Sequence, residues 1–430
     1  MRRFIRTAGG ITLLTLVAFV GGMCTGTIQT LALSDETYEA LRIFNQVLRL
    51  IEVKYVEEVD PHHLIEGAIQ GMLATLDPHS SYMPPDIFQE LNRDTIGEFG
   101  GLGIEITVEN GILTVIAPIE DTPAEAAGIE PGDQILEIDG ESTEGFSILD
   151  AVKRIRGPVG TEVVLTILRK GEEEPREVTI KRSIIRVTSV RGSLLEPHYA
   201  YVRISQFQSH TSADLETTLL DLEATGGGLK GLVLDLRNNP GGLLDEAIKV
   251  CDLFLEEGLI VYTMGRTEDQ NMKRYAQQNG THSSYPVVVL INEGSASASE
   301  IVAGALQDHG RALILGVPSF GKGSVQTIIP LDDGSGLRLT TAKYFTPKGR
   351  DIQARGISPD IFVATDDRDL PTTPARGLRE ADLAGHLENE SEGEGGGRQP
   401  PVQDIQLKRA LDLLKSWEIF QGARSAGAAR

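Results

Sequence analysis

The stretch 285–326, YPVVVLINEGSASASEIVAGALQDHGRALILGVPSFGKGSVQ, constrains the fold more than any other part of the chain. Val287 to Ile291 is an unbroken apolar run of strand length, rich in β-branched residues, and it ends in Asn292-Glu293-Gly294. Such a run is a buried strand followed by a sharp turn. The serine- and alanine-rich segment then passes into Ser299-Glu300 and the helical spacing of Ile301, Val302, Ala305 and Leu306. The serines therefore sit where a strand turns into a helix. Side chains there project from the carboxyl end of a sheet, beside the unpaired N–H groups of a first helical turn. A second strand, Ala312 to Gly316, leads to Phe320-Gly321-Lys322-Gly323, a lysine held between two glycines.

The same pattern occurs upstream. Tyr201 to Ile204 reads as a strand, Thr211 to Leu222 as a helix and Gly231 to Leu236 as a strand. Arg237-Asn238-Asn239-Pro240-Gly241-Gly242 follows, then a helix carrying Leu243, Leu244, Ala247, Ile248, Cys251 and Leu255. A strand, a glycine-rich turn and a helix expose backbone N–H groups at the carboxyl end of a sheet. Two such turns, one rich in glycine and one in serine, are expected to form a pocket with donors facing a hydroxyl. The α/β unit containing them spans about 186–365.

Three chemistries compete for that pocket. Gly316 to Lys322 nearly spells a phosphate-binding loop. However, Gly323 stands where a Ser or Thr would hold magnesium, and a strand-like run replaces the helix. A serine–histidine–carboxylate hydrolase would need His309, which lies at the far end of the helix, roughly 15 Å from its start. A serine–lysine dyad needs a largely neutral amine. The lysine pKa of about 10.4 must fall by about 2 to 3, costing on the order of 3–4 kcal/mol supplied by desolvation or a nearby positive charge. Phe320 and the flanking glycines give Lys322 surroundings of that kind, although a surface lysine in a hairpin has the same local sequence.

Residues 95–185 form a β-rich module of a different type. Short strands (Leu102 to Thr107, Ile112 to Val115, Asp133 to Ile138, Glu162 to Leu168, Arg176 to Ile180) alternate with Gly, Pro and Asp turns, with helices near Ala124 to Ala127 and from Ile148 to Ile155. Gly101-Leu102-Gly103-Ile104 can turn successive N–H groups toward one point, forming a nest for a carboxylate, with a strand edge beside it for an extended peptide. Taken alone, such a tripeptide of glycines and leucine is also an ordinary tight turn. The run GEFGGLGIEI together with DTPAEAAGIEPGDQILEIDG, from Asp121 to Gly140, resembles a PDZ domain. That resemblance implies recognition of free C-termini through Gly101, Leu102, Gly103 and Ile104.

GSASASEI, FGKGSVQ, DLRNNPGG and YVRISQF are in turn similar to the signature of the carboxy-terminal processing peptidases, or tail-specific proteases. The resemblance covers about residues 35–365 and implies a serine endopeptidase whose base lysine lies 25 positions after the nucleophile. Ser297 stands at that distance from Lys322, whereas Ser295 and Ser299 do not. It further implies that Gln326 orients the lysine, and that the N–H groups of Ala298 and Gly242, with Gly241 as the alternate, form the oxyanion hole. No cofactor or metal is implied. The expected fold is α/β: a serine peptidase core with a PDZ domain inserted after an N-terminal helical region, plus a C-terminal helix.

The remaining segments set context. Arg2, Arg3 and Arg6 precede an apolar run from about Gly9 to Met23, which reads as an export signal or membrane anchor over residues 1–33, cleaved or retained. Its expected destination is the periplasm or the periplasmic face of an inner membrane. A net charge of −22 argues against nucleic acid or an anionic membrane surface as partner. Cys24 and Cys251 form no disulfide framework. Residues 34–94 read as helical, with Leu41, Phe44, Val47, Leu48, Ile51 and Tyr55 on one stripe. His62 and His63 lack a third ligand at metal spacing. Residues 366–402 are acidic and rich in Gly and Pro, unable to form a core, and read as a disordered insertion. A last helix, 403–420, presents Leu407, Ala410, Leu411 and Leu414. The two terminal apolar faces together predict a homodimer or larger assembly. Expected partners are protein or peptide substrates with free apolar C-termini and a delivering or activating protein.

Overall fold

The computed structural model describes residues 34–364 and 404–428, apart from positions 110, 120, 173, 278–280 and 283. The expected export segment, Cys24 and the acidic stretch 366–402 lie outside these residues. The chain divides into two compact units, one ending at Gly71 and the other beginning at Met72.

In the first unit, the helix Asp35–Lys54 starts at Ser34, whose hydroxyl accepts the Thr37 amide at 3.2 Å. Asp35 and Glu36 in its first turn and Lys54 in its last complement the helix dipole. Its apolar stripe is solvent-exposed, with Leu41, Phe44, Val47 and Tyr55 all open. A second helix begins at Pro61, where the missing N–H costs nothing.

The second unit contains the peptidase-like sheet. Its strand order is Val190–Glu196, Tyr199–Ile204, Gly231–Asp235, Val287–Ile291, Ala312–Gly316 and Ile361–Phe362, with all neighbours parallel except the first pair. Parallel strands covered on both faces read as continuous apolar runs, and Val287–Ile291 shows why. Val287, Val289 and Ile291 pack into the larger core, with Leu215 and Leu219 of the helix Thr211–Gly226, Ala247 and Val250 of Leu244–Asp252, and Ile301 and Val302 of Ala298–Asp308. Val288 and Leu290 face the other way, onto Ala410 and Leu414 of the C-terminal helix Ile405–Ala428. The C-terminal helix therefore covers its own sheet, with Ala410 and Leu414 buried and Leu407 and Leu411 packed beside them. This corrects the expectation that Leu407, Leu411 and Leu414 await another subunit: an open parallel sheet needs both faces covered, and this helix covers the second.

A second, antiparallel sheet joins Ser81–Met83, Gly336–Phe345, Leu259–Gly265 and Lys273–Tyr275, with Ser324–Pro330 also paired to Gly336–Phe345. It carries the chain that leaves the lysine loop.

The β-rich module is a six-stranded sheet around a core of Leu102, Leu113, Ile135, Ile138, Val163, Leu165 and Ile167. Its helix Ile148–Ile155 has the expected bounds, and Ser147 and Asp150 form a capping box at its start. The first core strand begins at Ile104 rather than Leu102, because Gly103, at φ 81°, interrupts the extended backbone between them. The two ends of the module meet as antiparallel strands, Glu98–Gly101 with Ser183–Arg186, so the insertion enters and leaves the larger unit at one place.

Candidate active site

The three serines of the 295–299 turn have separate fates. Ser295 is fully buried and its hydroxyl donates to the Leu236 carbonyl at 2.8 Å. Ser299, equally buried, donates to the Asn239 carbonyl at 2.9 Å. Both bonds fasten the serine turn to the glycine-rich turn. Ser297 lies between them, partly exposed, with φ 55° and ψ −113°. A non-glycine residue held there costs roughly 1–3 kcal/mol, and such strain clusters at functional sites.

The glycine turn approaches closely. A Cβ on Gly241, which has φ 102°, would lie 2.8 Å from Ser297 Cβ and 3.0 Å from the Ala298 amide nitrogen. The Gly241 amide donates to Asn239 Oδ1 at 2.9 Å and is thereby occupied. Among the described residues, neither the Gly242 amide nor the Ala298 amide donates a hydrogen bond. Gly242 cannot be replaced either, since a Cβ there would meet the Phe207 carbonyl oxygen at 2.1 Å.

Lys322 is held by its own main chain. The Phe320 amide donates to the Ser295 carbonyl at 3.0 Å, Gly323 to Gln353 Oε1 at 2.9 Å, and the Tyr344 hydroxyl to the Lys322 carbonyl. Gln326 is partly buried, with its amide nitrogen 2.9 Å from Ser324 Oγ and 3.4 Å from Thr340 Oγ1. His309 caps the far end of the helix, where its Nε2 lies 2.7 Å from the Leu259 carbonyl. That placement removes it from the serine turn. Burial pushes the Cys251 thiol well above its ordinary range, so it stays a protonated core residue.

In the β-rich module, Gly103 has φ 81° and its carbonyl accepts the Ile119 amide at 2.8 Å. The amides of Leu102 and Gly103 donate no hydrogen bond among the described residues. The following strand, Ile104–Glu109, is the edge of its sheet, so one side of it is open to an added strand.

Sequence reasoning passes over Glu300, treating it only as part of the helix start. Its spacing from Ser297, serine then glutamate three residues on, is that of a capping box, and this is the available signal. The Ser297 amide indeed donates to Glu300 Oε2 at 2.8 Å. The carboxylate also reaches beyond its own helix, to the Gly321 and Lys322 amides. Asp235 and Arg237 are also missed. Arg237 clasps Asp235 through Nε and Nη2, and binds both oxygens of Asp404 and Gln406 Oε1 at the start of the C-terminal helix.

The profile of peptidase family S41 matches residues 198–363, that of the activating protease CtpB N-terminal domain residues 25–86, and that of a PDZ domain residues 114–169. The carboxy-terminal-processing protease of Bartonella bacilliformis is 46% identical over 401 residues, covering 90% of this chain and 91% of that protein. The chain belongs to the S41 carboxy-terminal processing proteases. The carboxyl-terminal-processing protease of Synechocystis sp. is 40% identical, covering 78% of this chain and 80% of that one. The carboxy-terminal processing protease CtpB of Bacillus subtilis is 38% identical, with 77% and 70% covered. A solved photosystem II D1 C-terminal processing protease is 32% identical over 77% of this chain and 94% of its own, at a TM-score of 0.44. The protein is thus a C-terminal processing serine protease with a PDZ domain.

Proposed function

We propose that this protease cleaves peptide bonds near the C-termini of exported proteins with a Ser297–Lys322 dyad, the PDZ domain holding the substrate's terminal carboxylate. One observation carries the dyad: of the three serines, Ser297 alone is partly exposed and strained, while its neighbours are committed to buried structural bonds. Neutral Lys322 takes the Ser297 proton as the oxygen attacks the scissile carbonyl. The amides of Gly242 and Ala298 receive the developing oxyanion, each worth roughly 3 kcal/mol. Gly242 is favoured over Gly241 because the Gly241 amide is already bound to Asn239. Protonated Lys322 then gives its proton to the leaving amine. A water attacks the acyl-enzyme, losing a proton to Lys322, and the acid product leaves as Ser297 regains its hydrogen. Gln326 is assigned to the orientation of Lys322.

The amides of Leu102 and Gly103, with the open edge at Ile104, suit a terminal carboxylate followed by an extended chain. The basic and apolar start of the sequence, Arg2 to Met23, supports export to the periplasm or its membrane face. The test is hydrolysis of one unstructured peptide with a free or an amidated C-terminus. Wild-type enzyme should prefer the free end, and Ser297→Ala and Lys322→Ala should both be inactive. Substantial turnover by Lys322→Ala would remove the dyad, and equal rates on the two peptides would remove carboxylate recognition.

A further inference from the structure

Glu300 is a fully buried acid whose four hydrogen-bond donors come from both halves of the site. Its Oε2 accepts the Ser297 amide at 2.8 Å and the Lys322 amide at 2.9 Å. Its Oε1 accepts the Gly321 amide at 2.8 Å and the Ser319 hydroxyl at 2.6 Å. The Ser319 oxygen in turn accepts the Ile357 amide at 2.6 Å. A capping box needs only the first of these bonds. The other three leave the helix and grip the loop that presents the lysine, so one oxygen atom joins the main chain at Ser297 to the main chain at Lys322.

We propose that Glu300 is a positioning residue for the Ser–Lys pair, its carboxylate setting the distance and orientation between the two backbones that carry the reacting groups. This role rests on the dyad reading above. Geometry supplies the reason for a carboxylate at this point. Three N–H groups and one O–H converge on two oxygens, and only an ionised acid offers acceptors alone at both positions. Glutamine has the same shape but replaces one oxygen with an NH₂ group. Turned toward Ser297 and Lys322, that group opposes two amides; turned the other way, it opposes the Gly321 amide. Either orientation pushes the lysine loop from the serine turn without changing the volume of the core. Displacements of about 1 Å at such a pair cost on the order of 100-fold in rate, while remote substrate contacts are untouched. Substrate capture by the PDZ domain involves none of these atoms.

The test compares wild type, Glu300→Gln, Glu300→Asp, Ser319→Ala and Lys322→Ala in the full-length protein. The readouts are kcat and KM on an unstructured peptide, thermal melting, and binding of a free-carboxylate peptide. A positioning role predicts a kcat loss of at least about 100-fold for Glu300→Gln, with KM and peptide binding within about threefold of wild type. Glu300→Asp, which keeps both acceptors on a shorter arm, should recover part of the rate. Ser319→Ala should lower kcat by several fold, since it removes one donor and leaves the charge in place. Should Glu300→Gln fail to fold, Glu300→Asp and Ser319→Ala decide: normal kcat in both overturns the proposal. A folded Glu300→Gln with near-wild-type kcat overturns it as well. If Lys322→Ala keeps activity, the dyad reading fails first; if Lys322→Ala is inactive while Glu300→Gln is fully active, the positioning role alone fails.

Discussion

Ser297 and Lys322 are the residues on which activity is expected to depend most steeply. Replacing either with alanine should lower turnover by at least about 1,000-fold with little change in melting temperature, because neither side chain fills the core. Ser295→Ala and Ser299→Ala should do the opposite: each removes one of two donors from a buried carbonyl, since the Asn239 amide stays on Leu236 and the Ala296 amide on Asn239, costing about 0.5–1.5 kcal/mol in stability, as measured by denaturant unfolding. Glu300 adds a pH signature. Burial pushes its carboxyl up to about 7, against its four donors, which pull it down. A folded value above the ordinary one means that Glu300 favours the folded state most at low pH and loses that contribution as pH climbs through about 7. Under the proposed positioning role activity needs the ionised Glu300 carboxylate, so it should rise as pH climbs through about 7. Glu300→Gln should make that rise less steep and reduce the loss of unfolding free energy between about pH 4.5 and 7. Identical slopes in the two proteins would contradict this.

The C-terminal helix is the element whose position was least expected. It lies on the sheet through Ala410 and Leu414, and its start is clasped by Arg237, whose guanidinium also holds Asp235 behind the glycine turn. Asp404 is held below the usual carboxylate range against the opposing effect of its burial, chiefly by its bond to Arg237. Its contribution to stability is therefore present above the ordinary carboxylate pKa and is lost as pH falls through the depressed value. Asp404→Ala should destabilise the protein by about 1–3 kcal/mol, seen as earlier loss of the helix by hydrogen exchange, with a smaller effect on kcat. Leu414→Asp places a charge against Val288 and Leu290, so it should cost on the order of 4 kcal/mol or more and prevent stable folding. Leu411→Asp, beside it, is likewise expected to loosen this helix rather than to separate subunits.

At the scale of the whole molecule, the N-terminal helix is the expected surface for self-association. Leu41, Phe44, Val47 and Leu50 are all about half exposed on Asp35–Lys54, and contiguous exposed apolar faces mark interaction surfaces. A homodimer closed through this helix is expected, with Val47→Asp shifting the mass measured by light scattering toward one chain. A wild-type mass of one chain at micromolar concentration would rule it out. In the PDZ domain, Gly103 is not a usable site for a mutational probe of peptide binding. Its φ is 81° and Thr122 atoms lie only 2.4–2.5 Å from where a Cβ would stand, so any side chain there distorts the turn itself. Comparing free and amidated peptides tests recognition without disturbing the fold.

The sequence by itself determined the local elements and named the candidate reacting pair. The period-two and period-3.6 patterns, together with the glycines and serines at strand ends, placed the strand Val287–Ile291, the helix Ala298–Asp308 and the PDZ helix Ile148–Ile155, because those signals are local and act within a few residues. The fixed spacing of Ser297 and Lys322 marked the pair through family resemblance. Tertiary structure decided which serines are spent on buried bonds, that the Gly241 amide is taken by Asn239 while the Gly242 amide is not, and that Glu300 spans the site. It also decided that Leu414 belongs to its own sheet. Each of these depends on how turns and elements pack in three dimensions, and an apolar stripe or a buried acid specifies only that it must be covered or hydrogen-bonded, not by what.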